Sequence, residues 1–498
     1  MNEHLFSASA FLLIGTCVGC TSAGKHDAVT ESNGKKPNVL FILADDQRAD
    51  ALGCSGNPYI RTPNIDALAS AGTMFSNAYI MGGHHAAISA PSRAMLLSGK
   101  YLFNVYDKLD GITTIPVFFS EHGYETFGTG KWHNEKSAFE TAFMKGTNVF
   151  LGGMSNHFEV PCRKLGADGT LSGTERKEFS TDLFADAAIE FLNEYIRGNR
   201  DTPFFCYVAF TAPHDPYSPR HDYIDTYPDQ SLPLPGNFMP LHPFQFDDLT
   251  VRDENLSPWP RKPEIIRSAL SDYYALITHL DDRVGDIFQT LKDNGLYDNT
   301  IIVYAADNGL AIGSHGLLGK QNLYEHSMKV PLIIKGPGIP AGRASEALIY
   351  LLDIFPTLAE LCGLPEPENI DGKNLSGVIS GNAEGVRTSI FTAYRNTVRA
   401  VRTDEWKLIR YPERDYNQLF NLKNDPLELN NLAGQPDYQS RISELLVLMS
   451  EWQAESNDTI PLTAARILPL SYDHKLLIRK PDVHQPEYTL KKYFSQEQ

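Results

Sequence analysis

Cysteine and tryptophan are scarce in this sequence, with six Cys and four Trp in 498 residues. Cys54, Cys162, Cys206 and Cys362 fall singly, Cys206 inside "PFFCYVAF" and Cys362 inside "LAELCGLP". Spacings of this kind build neither a zinc site nor a disulfide scaffold, and these two read as small buried hydrophobes. Positive charge is also in short supply: 44 Lys+Arg stand against 61 Asp+Glu, a formal charge of −17. Such a surface repels phosphate backbones, so nucleic acid is excluded as a partner, and a small anionic substrate would need a local basic pocket. A long apolar run is missing too. The stretch from Phe11 to Ile14 runs through small residues to Cys20 and is far too short to span a bilayer.

The start "MNEHLFSASAFLLIGTCVGC", followed by a polar tract to Lys36, has the shape of a secretory signal. Gly19 before Cys20 resembles a bacterial lipoprotein cleavage site, although no Lys or Arg precedes the apolar stretch and Cys17 stands where Leu is usual. The expectation is a lipoprotein-type signal peptide at 1–20 and a polar linker at 21–36. The protein is then placed in the periplasm or at the cell surface, lipid-anchored to the outer membrane through Cys20, or otherwise secreted.

At 42% hydrophobic and 11% aromatic, the remainder suffices for one large domain and a smaller one. "NVLFILADD" is a nearly continuous apolar run ending in acids, "PFFCYVAFTAPH" ends in a histidine, and "TIIVYAADNG" ends in Asp307 and Asn308. These are buried parallel strands delivering polar groups at their carboxyl ends. Helical periodicity in "STDLFADAAIEFLNEYI" and from Asp272 to Gly295 supplies covering helices. Ser218–Asp248, rich in Pro and aromatics, reads as a long ordered loop. Beyond it, "VRAVRTDEWKLIRY" predicts an antiparallel hairpin turning near Thr403 and Asp404, and "QSRISELLVLMSEWQ" a closing helix. The fold class is therefore α/β: a large mixed, mostly parallel sheet flanked by helices over 37–384, with a smaller C-terminal α+β domain containing an antiparallel sheet over 385–498.

In "HHAAISAPSRAMLLSGK", the Ser89–Arg93 run reads as a loop around Pro91, with Ser92 capping a helix through Met95, Leu96 and Leu97. Strand ends carry Asp45–Asp46, His214 and Asp307–Asn308, while Lys131 and His133 sit in "GTGKWHNE" and Lys320 in "HGLLGKQNLYEH". Each alone has an ordinary explanation as a cap, a turn or a solvated charge. Together, hard oxygen donors gathered at one sheet edge are what a Ca2+ or Mg2+ site needs, and the lysines and histidines would face a bound anion. The chemistry suggested is hydrolysis of a sulfuryl or phosphoryl ester at a metal.

The motifs carry a resemblance. "SAPSRAMLLSGK" is similar to the sulfatase signature, Cys or Ser followed by X-Pro-Ser-Arg and a helix ending in Thr/Ser-Gly-Arg/Lys. "NVLFILADDQRADALGC", "TPNIDALASAG", "GKWHN", "TAPHDPY", "ADNGLAIGSHGLLGKQNLYEHSMKVPLII" and "LFNLKNDPLELNNLA" follow in the family's order, from Pro37 to Ala433. The resemblance implies an alkaline-phosphatase-like fold and conversion of Ser89 to formylglycine by a serine-type, radical SAM maturation enzyme. Such an aldehyde hydrates to a geminal diol; one hydroxyl attacks sulfur in line and the second lets the sulfated intermediate collapse. A plain serine has no such exit.

By the same resemblance Asp45, Asp46, Asp307 and Asn308 match the ligands of one Ca2+, with Ser89, as formylglycine, completing the shell. Asp307 matches the base for the attacking hydroxyl, Arg93 the arginine that stabilises the diol, and Lys131 the lysine that bridges it to sulfate. His133 resembles the base that helps eliminate sulfate. His214 and Lys320 resemble the groups that bind the ester and protonate the leaving oxygen. One departure stands out: many relatives follow Lys-Trp with His-Leu-Gly, where this chain has His133-Asn134.

An exported acidic lipoprotein of this kind resembles carbohydrate sulfatases that desulfate glycosaminoglycan, mucin or algal saccharides. Candidate sugar contacts are His84, His85, His157, Arg220, His221 and Arg395, each with an equally good reading as surface or packing. The residues leave open which sugar and which sulfate position are chosen. Two rival functions remain. One is a phosphodiesterase or phosphonate hydrolase of the same fold, disfavoured by the intact Ser-X-Pro-Ser-Arg run and the single metal set. The other is a non-catalytic glycan-binding lipoprotein, which predicts the loss of Arg93, Lys131, His133, His214 or Lys320, and none is missing.

Overall fold

Strand Asn38–Ala44 is buried at every position, as are Phe204–Ala209 and Thr300–Ala306, which explains why all three read as uninterrupted apolar runs. In this computed structural model, which describes residues 35–498 apart from 199, 200, 247, 478–481, 483 and 495–498, Asn38–Ala44 lies between the other two, parallel to both. The leader, Cys20 and the tract at 21–34 lie outside the described residues. Leu43 sits opposite Ala209 on one side and Ala305 on the other, and Ala44 opposite Ala306, so the three strands end level with one another. Whatever follows each is delivered to one edge.

Glu125–Lys131 adds a parallel strand beside Phe204–Ala209, with Gly130 opposite Ala209. At Gly130, φ is 88° and a Cβ would lie 1.8 Å from the Ala209 carbonyl oxygen. The strand carrying Lys131 reaches its neighbour only because position 130 has no side chain.

Among the described residues the sheet holds eleven strands, with antiparallel pairs towards its flanks. Lys329–Lys335 runs antiparallel to both Thr300–Ala306 and Thr73–Tyr79, and Val160–Leu165 with Leu171–Lys177 forms a hairpin at the other edge. The expected mixed, mostly parallel sheet flanked by helices is what forms. Ser180–Arg197 and Pro263–Asp293 pack against each other. The second helix begins nine residues before the predicted Asp272, because Pro263 occupies its first turn, where a missing N–H costs nothing. Its extra turns bury Ile265, Ile266, Ala269 and Leu270 in a second apolar cluster.

The second sheet is an antiparallel meander of Ser389–Tyr394, Val398–Thr403, Trp406–Tyr411 and Tyr416–Asn421, with the predicted turn after Thr403. Gly82–Gly83 adds to it in parallel, just ahead of Ser89. The closing helix spans Gln439–Ser456. Ser218–Asp248 is a loop holding one short 3-10 turn at Asp229–Ser231. A helix at Glu487–Phe494 was not evident in the sequence. Among the described residues no helix is long and apolar enough to cross a membrane.

Candidate active site

The level strand ends place Asp45 and Asp307 side by side. The Asp307 N–H donates to the Ala44 carbonyl at 3.2 Å, the Asp45 N–H to the Ala212 carbonyl at 3.1 Å, and the Asp46 N–H to Asp307 Oδ1 at 3.1 Å. The sheet's own hydrogen-bond ladder thus carries on into the acids. Asp46 takes a φ of 62°, a left-handed conformation that Asp tolerates better than most residues, and this turns its carboxylate back toward the edge.

The Ser89–Arg93 run is not a loop upstream of a helix. The helix spans Ser89–Ser98, so Ser89 is its first residue, and all ten residues are buried. Ser92 does not cap it: its hydroxyl donates to the Asp307 carbonyl at 2.5 Å and so pins helix to strand. Pro91 sits in the first turn, where a helix accommodates it. Ser89 Oγ comes within 3.0 Å of Asn308 Oδ1 and 3.4 Å of Asp45 Oδ1.

Three cations complete the cluster. Arg93, fully buried, donates from Nε to Asp307 Oδ2 at 2.8 Å and from Nη1 to the Lys131 carbonyl at 2.5 Å. Lys131 Nζ lies 2.6 Å from Asp45 Oδ2, and Lys320 Nζ 2.6 Å from Asp46 Oδ1 and 3.5 Å from Ser89 Oγ. Three carboxylates and three cations thus form one buried network, which the Ser89 hydroxyl joins through Asp45 and Lys320. Burial, followed by the Asp307 carboxylate, pushes the Asp45 carboxyl well above its ordinary value despite Lys131. Burial likewise raises Asp46 against the pull of Lys320. Asp307 goes the other way: burial opposes it, but Arg93, then Lys131 and Lys320, hold it well below the carboxylate range.

Two histidines face this cluster. His214 Nδ1 lies 2.8 Å from the Asp215 carbonyl, which can only accept, so Nδ1 carries the proton and Nε2, 3.5 Å from Asp46 Oδ2, presents its lone pair. His133 adopts a φ of 63°, and its Nδ1 is buried with no hydrogen-bond partner. A Cβ on Gly153 would come 2.5 Å from His133 Nε2, so Gly153 leaves room for the ring. Burial, and then the nearby lysines, push both imidazoles well below their ordinary value; both are neutral bases at pH 7. They open with Lys320 into a cavity of about 210 Å³.

The donors suit a hard divalent cation. Asp45, Asp46 and His214 each offer a ligand atom within 4.8 Å of the others. Asn308 Oδ1 approaches the same point through Ser89, and no thiolate is near. The upward shifts of Asp45 and Asp46 come first from burial and then from the neighbouring carboxylates, both of which a bound cation would counter. Arg93 Nη2, fully buried and 3.8 Å from Asp45 Oδ1, has no hydrogen-bond partner, so a donor is left over for a further oxygen such as one on an oxidised Ser89. The residues present therefore fit both a metal and an oxidised Ser89.

Every catalytic and metal-site residue expected from the sequence, namely Asp45, Asp46, Ser89, Arg93, Lys131, His133, His214, Asp307, Asn308 and Lys320, lies in this one cluster or on its cavity. The sugar-contact candidates fare differently. His157 is 1% exposed, accepting from Ser180 Oγ at 2.9 Å and donating from Nε2 to the His214 carbonyl at 2.9 Å, so it holds His214 and cannot reach a sugar. Arg220 pairs with Asp182 and Asp222, Arg395 with Asp248, and His221 packs near Phe158. His84 and His85 line a neighbouring cavity.

Several residues escaped the sequence reading. Arg252 lines the active cavity and ties Asp215, Asp253 and Asp482 together, and Gln485 Nε2 donates to Asp215 Oδ2 at 2.8 Å. Gln321 bridges Asp253 Oδ2 at 2.7 Å and the Ala86 carbonyl at 2.8 Å. Glu254 accepts from the N–H groups of Leu318 and Gly319 at 3.0 and 2.8 Å, fixing the loop that presents Lys320. Only Asp215, next to His214 in "HDPY", carried a signal. The others lie in segments with no period.

Comparison with known proteins agrees with this geometry. The model of the Sulfatase family matches residues 37–364, and that of the N-sulphoglucosamine sulphohydrolase C-terminal region matches 313–455. An N-acetylglucosamine-6-O-sulfatase of Bacteroides thetaiotaomicron is 27% identical over 86% of this chain and 88% of its own. A solved structure in complex with its substrate D-glucosamine-2-N,6-O-disulfate superposes with a TM-score of 0.71 at 25% identity, covering 86% of this chain and 99% of the other. A phosphonate monoester hydrolase of Agrobacterium radiobacter shares the fold at a TM-score of 0.67 and 22% identity, over 84% of this chain and 96% of its own.

Proposed function

This chain belongs to the sulfatase family and is a sulfuric ester hydrolase, and from that premise we propose that it desulfates glycans or their oligosaccharides through a formylglycine formed from Ser89 and one bound Ca2+. The observation that carries the reading is the buried cluster of Asp45, Asp46, Asp307, Arg93, Lys131 and Lys320 around Ser89, opening into a cavity walled by two neutral histidines. With three carboxylates balanced by three cations, adding a divalent ion leaves the site net positive, which suits an anionic sulfate ester.

Asp45, Asp46, Asp307 and Asn308, with residue 89, would hold the metal. When present, the modified residue supplies the nucleophilic oxygen and an exit for sulfate, and the metal supplies positive charge beside them. The chain's own groups do the rest. Asp307, kept ionised by Arg93, is the carboxylate that would take the proton from the attacking oxygen of residue 89. Lys320 lies 3.5 Å from that oxygen and Lys131 is held beside it through Asp45, so both would orient a sulfate on residue 89. His214, with Nδ1 on the Asp215 carbonyl, would take a proton from water at Nε2 and pass it to the leaving sugar oxygen, while His133 would accept one from residue 89 as sulfate departs.

The leader read at residues 1–20 supports export, with attachment through a lipidated Cys20 at the periplasmic or cell surface, and the serine in place of cysteine supports maturation by a radical SAM enzyme. Relatives that act on glucosamine sulfates make 6-O- and N-sulfated hexosamines the first saccharides to test. Protein co-produced with a serine-type maturase should hydrolyse 4-nitrophenyl sulfate and at least one member of a sulfated saccharide panel. Turnover of a phenyl phosphonate with none of any sulfate ester would overturn this reading in favour of phosphoryl chemistry.

A further inference from the structure

Beside the active cavity lies a second one of about 510 Å³, between the turn at His84–His85 and the loop at 104–112. The two share a wall: residues 84 and 85 line the larger cavity, and residues 86 and 87 line the smaller. Asn134 ties them together, because its Nδ2 donates to the Asp107 carbonyl at 2.8 Å and to the Ala90 carbonyl, in the first turn of the Ser89 helix, at 3.2 Å. Asn134 thus anchors the wall of the second cavity to the helix that begins at Ser89.

The lining of that cavity is that of a sugar site. Tyr106 is 79% exposed at its edge, a flat aromatic face offered to solvent beside polar groups. On its wall His85 Nε2 donates to Asp107 Oδ2 at 2.5 Å, and both side chains stay partly exposed. The pair leaves an imidazole nitrogen and a carboxylate oxygen for neighbouring hydroxyls, while the carbon-bound hydrogens of a pyranose suit the tyrosine ring. Charge narrows the ligand. Asp107 is paired with His85, and Asp110 shares the lining with Lys108, so no cation is left in excess to hold a uronate or a second sulfate.

We propose that this cavity is the subsite for a second, uncharged sugar ring, so that the enzyme acts on a sulfated unit attached to a neutral one rather than on a monosaccharide. The proposal rests on the sulfatase reading above. Tyr106 supplies the stacking face, the His85–Asp107 pair the polar contacts, and Asn134 acts as a positioning residue.

The test compares kcat/KM on matched pairs of sulfated monosaccharides and their disaccharides extended by galactose or N-acetylgalactosamine, alongside 4-nitrophenyl sulfate. Wild-type enzyme should prefer the disaccharide by about tenfold or more, the scale of one well-placed aromatic contact. Tyr106→Ala should lose more on the disaccharide than on the one-ring ester by a similar factor, Tyr106→Phe should restore the preference, and all three proteins should melt at the same temperature. Equal rates on both members of each pair, or a preference that survives in Tyr106→Ala, would overturn the subsite while leaving the sulfatase reading standing. Inertness towards every sulfate ester in protein that carries formylglycine would remove that reading and the subsite with it.

Discussion

Lys320 and Asp46 lie 274 positions apart in the chain, yet the lysine ammonium sits 2.6 Å from one carboxylate oxygen and 2.7 Å from the other. The Asp46 carboxylate raises the lysine's pKa against the effect of burial, which favours the charged ammonium. A charged group 3.5 Å from Ser89 Oγ is placed to bind an anion there. Lys320→Met should therefore lower kcat/KM on sulfate esters by a factor on the order of a thousand, the scale of one preorganised charge on a developing anion. Lys320→Arg should recover little, because a planar fork does not replace a point charge in a closed site.

The Asp215 carboxylate lies 3.2 Å from His214 Nδ1 and is itself held by Arg252, so the two side chains orient His214 from outside the reacting atoms. Asp215→Asn and Arg252→Ala should each reduce kcat by on the order of a hundredfold, with a much smaller change in KM, as expected for misplacing a proton donor. Steady-state kinetics on 4-nitrophenyl sulfate checks the split. A change confined to KM would mean that they bind substrate instead.

Glu254 holds the Leu318–Gly319 backbone with two N–H bonds and is itself paired with the buried Arg261. Glu254→Ala leaves a buried guanidinium uncompensated and should destabilise the protein by about 3 kcal/mol or more. Denaturant titration measures this loss. Glu254→Gln keeps the shape of the side chain and should cost less.

Stability should fall in acid through histidines far from the reaction as well as near it. Burial pushes His157 down to about 4, His242 to about 3 and His315 to about 4, from an ordinary 6.5. A depressed histidine pKa means that the unfolded chain takes up the proton first. Stability is thus full above pH 6.5 and is lost as pH falls through the folded values. Each such residue adds about 1.4 kcal/mol per pH unit to the slope within its window. His242→Gln should flatten the slope by that amount between pH 6 and 4, as measured by unfolding at a series of pH values.

The sheet and the catalytic cluster were legible because both depend on short local patterns. Asn38–Ala44 announces a doubly buried strand by its apolar run, and the acids that follow it are where such strands deliver ligands. Ser92 was misread for the opposite reason: a serine after proline has the local form of a cap, and only the Asp307 carbonyl, which a distant strand supplies, shows that it has a different partner. Arg252, Glu254 and Gln485 act through contacts that span long separations from aperiodic segments, so nothing in their own neighbourhoods marks them. His157 looked like a sugar contact because a lone histidine in a glycine- and serine-rich stretch gives no sign of whether it is buried.

Chelation gives a further check on the cluster. Removing divalent ions with EGTA should abolish sulfate ester hydrolysis and lower the melting temperature, because Asp45, Asp46 and Asp307 would then repel one another with only the lysines and Arg93 between them. Added Ca2+ should restore both. Full activity in exhaustively chelated protein would exclude the metal role.

If Ser89 works only after oxidation, the mass of the tryptic peptide that contains it shows this, taken from protein active on 4-nitrophenyl sulfate after co-production with a serine-type maturase. That peptide should lack two hydrogens, in a proportion that rises and falls with activity across preparations, and Ser89→Ala should be folded but inert. Undiminished turnover by protein in which every copy of Ser89 remains an unmodified serine would contradict that requirement.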